Sequence, residues 1–330
     1  MQGIKILGIG SYVPETVISN DDFTGVIETN DEWITTRTGI KERHYAMGTP
    51  TWKCGANAAL KAVENSGISK EEIDMIICTT VTPDSLFPST ACMIQRELGI
   101  TGCMAFDASC ACAGFVYAVD MAHKYLATGS ARNVLVVSAE NLSKIVNYED
   151  RASCILFGDG AAAVVLCAAD TSYSSFIGAD GNGADFLRAD VISNKLNPFY
   201  KIKNIEEPEK QSEYAGFLAQ DGKEVYKFAV GILPFAVNKA LEKSDFNVED
   251  LDMVIPHQAN IRIIQTAASK LGLPMDKFYV NIERYGNTSS ASIPLALSEA
   301  VENGSVKRGD KIALVGFGAG LTYGAVCFEY

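Results

Sequence analysis

The sequence predicts an α/β fold in which one unit occurs twice. Short apolar runs such as MIICTT and AVVLCAA lack the alternation of a half-solvated strand and read as strands buried on both faces. Such runs alternate with helical segments through both halves, the pattern of strands covered by helices. Residues 59–77, ALKAVENSGISKEEIDMII, are echoed by residues 239–255, KALEKSDFNVEDLDMVI. With Ile73 set on Leu251, a shift of 251 − 73 = 178, six identities fall at one offset. They are Ala62/Ala240, Glu64/Glu242, Ser66/Ser244, Asp74/Asp252, Met75/Met253 and Ile77/Ile255. Any two α/β halves share a general pattern, but identities at a constant offset favour a duplication.

The elements follow in order. MQGIKILGIG reads as a first strand; it is too short and too glycine-rich for a secretion signal. In the first half a helix ends at Leu98-Gly99-Ile100, and in the second at Leu271-Gly272-Leu273. Each is followed by a short strand (CMAFDAS; KFYVNIE), a loop and a helix of small residues. A strand comes next (NVLVVSAE; KIALVGFG), then a glycine turn and a last strand (GAAAVVLCA; GAVCFEY). Residues 171–226 break the repeat and include the polar stretch NKLNPFYKIKNIEEPEKQSEY, which reads as a surface insertion. The expected halves are 1–170 and 171–330.

Composition narrows the function classes. A chain of 330 residues, 48% hydrophobic and 21% charged, is ordinary for a globular protein. No apolar stretch approaches the roughly 18 residues of a membrane span, so a cytoplasmic protein is expected. The net charge of −12 disfavours nucleic-acid binding, which needs a basic face, yet allows a local basic patch for an anionic substrate. Nine cysteines, an odd number with no CxxC pair, argue against a disulfide framework and against zinc. Most of them lie in apolar runs and read as small buried hydrophobes.

Three positions invite chemistry. Cys112 lies in FDASCACAGF, where a strand ends and a helix begins. A thiol there faces free N–H groups and the positive end of the helix dipole, and its neighbours are small enough for a substrate to approach. Cys110, two residues earlier, is a rival, and a merely buried cysteine is the plainer alternative. Of three histidines, His44 and His123 are expected to face solvent. His257 follows the buried strand LDMVI, where α/β folds usually handle ligands; a satisfied core histidine is equally possible on position alone. Asn287, in RYGNTSSASIP, sits at the duplicated counterpart of the Cys112 junction, and would serve as a helix cap, a site residue, or both. The glycine-rich GFGAG near the end precedes a strand, not a helix, so it is no dinucleotide fingerprint. It suits an oxyanion hole better, since it allows backbone N–H groups to come close.

Taken together, the motifs resemble β-ketoacyl-acyl carrier protein synthase III, of the thiolase superfamily. The resemblance spans essentially the whole chain in order: NDEWITTRTGIKERH (30–44), FPSTACMIQ (87–95), FDASCACAGF (106–115), FGDGAA (157–162), PHQANIRII (256–264), YGNTSSASIP (285–294) and GFGAGLTYG (316–324). It implies a thiolase-like, five-layered αβαβα fold and a homodimer. It implies Cys112, His257 and Asn287 as the catalytic set, with Cys112 preferred over Cys110 as the cysteine before Ala-Gly-Phe. It implies an oxyanion hole from the N–H groups of Cys112 and Ala319. Trp33, Arg37, Arg151 and Asn260 are implied in coenzyme A binding, and Phe87 and Phe317 at the acyl pocket, Phe87 reaching across the dimer. Lys227, Arg262 and Lys270 match positions that dock the acidic carrier protein. No metal and no cofactor is implied, because acyl-coenzyme A enters as substrate. Ala319, Tyr323 and Tyr226 depart from a common glycine, tryptophan and phenylalanine.

The implied chemistry is consistent with the residue types. Exchange between two thioesters is nearly balanced, so an acyl group on Cys112 stays activated. An amide cannot act as a base, so with Asn287 as third partner the carbon nucleophile must come from decarboxylation of malonate. The resemblance thus implies condensation of a short acyl-coenzyme A, acetyl by default, with malonyl-acyl carrier protein, releasing coenzyme A and carbon dioxide and initiating fatty acid biosynthesis. A starter-loading enzyme of polyketide or quinolone-type synthesis is the alternative. The run IRIIQTAASKL is expected to bury Ile261, Ile264, Ala268 and Leu271 and to leave Arg262 and Lys270 outward.

Overall fold

The computed structural model describes residues 3–190 and 216–330. Thirteen strands lie among them: β1 (Gly3–Tyr12), β2 (Thr16–Ser19), β3 (Glu42–Tyr45), β4 (Met75–Thr79), β5 (Met104–Ala108), β6 (Asn133–Asn141), β7 (Asp159–Ala169), β8 (Tyr173–Ala179), β9 (Leu187–Ala189), β10 (Leu218–Gln220), β11 (Met253–Pro256), β12 (Lys311–Gly318) and β13 (Thr322–Glu329). One sheet has the order β1-β7-β6-β4-β5, and the other β11-β12-β13-β8; two short hairpin-like pairs, β2-β3 and β9-β10, lie outside them.

Helices fill the spaces around the two sheets. Ile76 and Cys78 of β4 face one side, where Ala59 and Ala62 of helix Thr51–Ser66 and Ile94 of helix Thr90–Leu98 cover them. Ile77 of β4 faces the other side, as strand alternation demands. There it meets Phe115 and Val119 of helix Gly114–Ala127 and Ile293 and Leu297 of helix Ser292–Glu302. The same central helices touch Ile255, Leu314 and Val326 of the second sheet. Beyond that sheet, Leu233 and Val237 of helix Gly222–Leu241 and Ile264 and Ala268 of helix Ile261–Leu271 pack on Val254, Val315 and Cys327. The layers run helix, sheet, helix, sheet, helix. The small residues of the central helices let two buried sheets approach one another.

The internal echo is carried into hydrogen bonds. Ser69 and Glu72 form a capping box on a short turn, and so do Asn247 and Asp250, 178 residues later. Asp74 accepts from the N–H of Asn133 (3.1 Å), and Asp252 accepts from the N–H of Lys311 (2.8 Å); 133 + 178 = 311. The turn Ala111–Ala113 matches the turn Ser289–Ala291 at the same offset, and the first residue of each has a positive φ, 46° at Ala111 and 51° at Ser289.

Several expectations need correction. Residues 171–226 are not wholly an insertion, because β8 pairs with β13 as part of the second sheet; the polar stretch 194–214 lies outside the described residues. His123 is buried and stacks on Tyr173 with ring centroids 3.9 Å apart. His44 is half-buried, its Nδ1 2.6 Å from the carbonyl of Pro14. In helix Ile261–Leu271 the buried face also takes Ile263 and Ala267, while Ile261 is half-buried. Among the described residues, no helix is long and apolar enough to cross a membrane.

Candidate active site

A cavity of about 760 Å³ opens between the two sheets. Cys112, His257, Asn287, Phe317 and Ala319 all line it, as do Asn260 and Cys110. The residues arrive from different elements. β5 ends at Ala108, and the turn Ala111–Ala113 delivers Cys112 to the N-terminal end of helix Gly114–Ala127. β11 ends at Pro256 and hands on His257, whose N–H donates to Val315 O of β12 (2.8 Å). Asn287 is fixed by the first half of the chain: its N–H donates to Leu156 O (2.8 Å), and its carbonyl accepts from the N–H of Gly158 (3.0 Å).

Burial decides the charge states. His257 is 1% exposed, and burial alone lowers its pKa to about 3, so the imidazole is neutral. Its Nδ1 lies 2.7 Å from Ser292 Oγ. That oxygen also accepts from the N–H of Gln258 (3.3 Å), and its own proton is available to Nδ1. With Nδ1 accepting from Ser292, a neutral imidazole carries its hydrogen on Nε2, where it acts as a donor. Phe317 stands edge-on to the imidazole, ring centroids 5.4 Å apart, and fixes the ring plane.

The Asn287 side chain is oriented by the same reasoning. Its Oδ1 accepts from the N–H of Ser289 (2.8 Å), so the amide nitrogen is left to donate. Asn287 thus braces the start of the turn Ser289–Ala291, whose N-cap position is held by Thr288, and also lines the cavity wall. Burial pushes the Cys112 thiol up to about 12, against a smaller opposite effect of the Ser289 hydroxyl.

The end of β12 presses on the nucleophile turn. A Cβ on Gly318 would lie 2.5 Å from Cys112 N, so only glycine allows the approach. Ala319 follows directly, in the turn Ala319–Leu321. Tyr226 lines the cavity, and Tyr323 packs edge-on against Phe228, centroids 5.9 Å apart.

A second hollow lies outside, lined by Asn30, Glu32, Trp33, Thr36, Arg37 and Arg262. The guanidinium carbons of Arg37 and Arg151 lie 4.7 and 4.8 Å from the centroid of Trp33. Asn260 lines the main cavity and also donates through Nδ2 to Arg37 O (3.0 Å), joining the two regions. Arg262 donates to Thr36 O (2.9 Å), so it belongs to the wall of this hollow as well as to the outer helix face. Lys227 and Lys270 are exposed on two different helices. Phe87 is 85% exposed and lines no part of this chain's own cavity; its neighbour Leu86 does. Sequence reasoning missed Ser292, Ser289 and Glu140, all buried polar groups beside the site. The polar run NTSSAS at the start of a buried helix was the available signal.

Residues 106–190 match the family model described as 3-Oxoacyl-[acyl-carrier-protein (ACP)] synthase III, and residues 241–330 match that of its C terminal region. The beta-ketoacyl-[acyl-carrier-protein] synthase III of Clostridium acetobutylicum is 46% identical, over 100% of this chain and 99% of that protein. The crystal structure of 3-oxoacyl-[acyl-carrier-protein] synthase III from Aquifex aeolicus superposes with a TM-score of 0.91 at 44% identity, covering 99% of this chain and 100% of the other. The priming beta-ketosynthase from the R1128 polyketide biosynthetic pathway is also similar, with a TM-score of 0.88 at 35% identity, covering 99% and 96%. Full-length similarity at this level, on a duplicated thiolase fold with a thiol in its central cavity, shows that the chain belongs to the β-ketoacyl-[acyl-carrier-protein] synthase III family of condensing acyltransferases.

Proposed function

We propose that this enzyme condenses a short acyl-coenzyme A, acetyl by default, with malonyl-acyl carrier protein, and that Cys112 carries the acyl group between the two steps. What supports this is the convergence on one cavity of a thiol, a neutral imidazole and an amide whose oxygen is already occupied. Such a set holds one nucleophile and two hydrogen-bond donors, and no side chain suited to removing a proton from carbon.

The steps follow from the groups. Cys112 sulfur attacks the acyl carbonyl, and the oxyanion takes hydrogen bonds from the N–H groups of Cys112 and Ala319. Coenzyme A leaves with the thiol proton. Malonyl-carrier protein then loses carbon dioxide, and the enolate oxygen accepts from His257 Nε2–H and from the Asn287 amide. The enolate carbon attacks the thioester, the carbon–sulfur bond to Cys112 breaks, and the β-ketoacyl product forms; the Cys112 thiolate then takes a proton from solvent to restore the thiol. Acyl-coenzyme A is a substrate, not a resident cofactor. Trp33 between Arg37 and Arg151 suits an adenine with its phosphates, and Asn260 the pantetheine arm. Phe317 borders the acyl pocket. In a homodimer, exposed Phe87, with Leu86 beside it, would enter the partner's pocket. A starter-loading role in polyketide synthesis is less favoured, since the full-length relatives from Clostridium acetobutylicum and Aquifex aeolicus, 46% and 43% identical, are both beta-ketoacyl-[acyl-carrier-protein] synthase III.

Intact-protein mass spectrometry after exposure to mixed acyl-coenzyme A tests this reading. A single acyl adduct on Cys112 is expected, absent in Cys112→Ser and retained in Cys110→Ala. An adduct on Cys110, or free acid released with no condensed product on adding malonyl-carrier protein, would sink it.

A further inference from the structure

The oxyanion hole invoked above needs two N–H groups, of Cys112 and of Ala319, aimed at one oxygen. They lie on separate turns, Ala111–Ala113 and Ala319–Leu321, from opposite halves of the chain. The distance between these turns therefore has to be fixed.

The internal duplication shows how the equivalent crossing is held. At the offset of 178, Cys112 corresponds to Ser290 and Glu140 to Gly318, since 112 + 178 = 290 and 140 + 178 = 318. At the crossing without the thiol, the end of β6 grips the turn Ser289–Ala291 through side chains. The Ser290 hydroxyl donates to Glu140 Oε1 (2.7 Å), and the fully buried carboxyl is braced at Oε2 by the N–H of Val81 (3.0 Å) and the Thr82 hydroxyl (3.1 Å). At the catalytic crossing the end of β12 has a glycine in that place, because a Cβ on Gly318 would lie 2.5 Å from Cys112 N. The close approach that brings β12 to the nucleophile removes the side chain that would hold it.

Thr322 supplies the hold from the next strand. It opens β13, pairs with Gly318 across the sheet, and lines the cavity. Its hydroxyl donates to Cys110 O (2.8 Å), two residues before the nucleophile and 212 residues away along the chain. Its backbone N–H donates to Ala319 O, closing the second turn, and the same carbonyl lies 3.1 Å from the Thr322 hydroxyl. A hydroxyl has one proton, and with Ala319 O also served by the N–H that proton is available to Cys110 O. Gly320 leaves room for the arrangement: its φ is 131°, and a Cβ there would lie 3.0 Å from Thr322 Cγ2.

We propose that Thr322 is a positioning residue for the oxyanion hole, tying the nucleophile turn to the turn of Ala319 so that their two N–H groups meet on one oxygen. This inference rests on the reading that Cys112 is acylated and that these N–H groups take the oxyanion. Negative charge builds on that oxygen when the Cys112 sulfur adds to the acyl carbonyl, and again when the enolate carbon adds to the Cys112 thioester. It does not build there during decarboxylation of malonyl-carrier protein, whose enolate oxygen is held by His257 and Asn287. Nor does it build when iodoacetamide alkylates Cys112, since sulfur then displaces iodide at a saturated carbon. Thr322 is thus expected to matter for two of these four reactions.

The test is Thr322→Val, which keeps the side-chain shape and the backbone N–H and removes the hydroxyl, set against Thr322→Ser, which keeps the hydroxyl. Single-turnover acylation by acetyl-coenzyme A is followed by intact-protein mass. Thr322→Val is expected to lose about tenfold to 100-fold in limiting rate, up to the lower range for deleting an oxyanion-hole donor outright, and Thr322→Ser to recover most of it. The half-saturating concentration of acetyl-coenzyme A, the alkylation rate of Cys112 and the decarboxylation rate each stay within about twofold. Acylation of Thr322→Val at the wild-type rate overturns the proposal. So does a higher half-saturating concentration at an unchanged limiting rate, which would make Thr322 a substrate contact. A parallel loss of alkylation overturns it as well, because the thiol turn itself would then have moved. If Thr322→Val fails to fold, Thr322→Ser is compared with Thr322→Ala, and equal acylation rates for those two overturn it. A wild type that takes no acyl group on Cys112 removes the reading beneath the proposal, whereas a wild type acylated there beside an unaffected Thr322→Val removes the clamp alone.

Discussion

At the scale of single residues, His257 carries a consequence for stability. In the unfolded chain its pKa is about 6.5, and in the fold burial lowers it to about 3. Below pH 6.5 the unfolded state therefore binds a proton that the folded state does not. Stability falls as pH drops from 6.5 toward 3, by about 1.4 kcal/mol per pH unit for this one group, and above 6.5 the group contributes no slope. Replacing it removes that slope. Relative to wild type, His257→Gln is expected to gain about 2 kcal/mol between pH 6.5 and pH 5 in urea unfolding. Parallel pH dependence of the two proteins would show that His257 is not held neutral. The place of this histidine after a buried strand was legible in the sequence, but position alone left a core histidine equally possible. Its hydrogen-bond partner was not, because Ser292 lies 35 residues away along the chain.

Among elements, the two turns Ala111–Ala113 and Ser289–Ala291 are copies that have diverged. One carries the thiol, and the other carries the serines that face it. The sequence revealed the duplication through helices and strands, where apolar identities persist. It did not reveal Glu140 with Ser290, a contact 150 residues apart, since hydroxyls in a small-residue run read as capping. β8 was hidden in the same way, because its pairing partner β13 lies far along the chain. β12 is the element that sets the spacing between halves. Gly318→Ala would bring a methyl within 2.5 Å of Cys112 N and 3.0 Å of the Ala111 Cβ. The turn must shift, at a cost of about 1–3 kcal/mol, and a displacement near 1 Å is expected to slow acylation about 100-fold. Gly25→Ala meets nothing within 4 Å and serves as the neutral control. Equal acylation rates for the two variants would mean that the β12 end does not position the nucleophile.

For the whole molecule, a net charge of −12 must be reconciled with substrates that are themselves anionic. The cations that bear on this are gathered locally. Arg37 and Arg151 flank Trp33, and Arg262 lines the same hollow. Arg262 is therefore an ambiguous probe: reversing its charge is expected to weaken coenzyme A binding as well as carrier-protein docking. Lys227 separates the two. It is exposed, on helix Gly222–Leu241, and its only ion pair among the described residues is with Glu224 at 3.5 Å on the same helix. An exposed pair of this kind is worth little to stability, so Lys227→Glu should fold normally. If this face receives an acidic carrier protein, the variant raises KM for malonyl-carrier protein several-fold at low salt, and the difference shrinks as salt screens the surface. Acylation by acetyl-coenzyme A should be unchanged at every salt concentration. A KM for the carrier protein that is the same in both proteins at low salt would move the docking face elsewhere, whereas a loss of acylation would place Lys227 on the coenzyme A path.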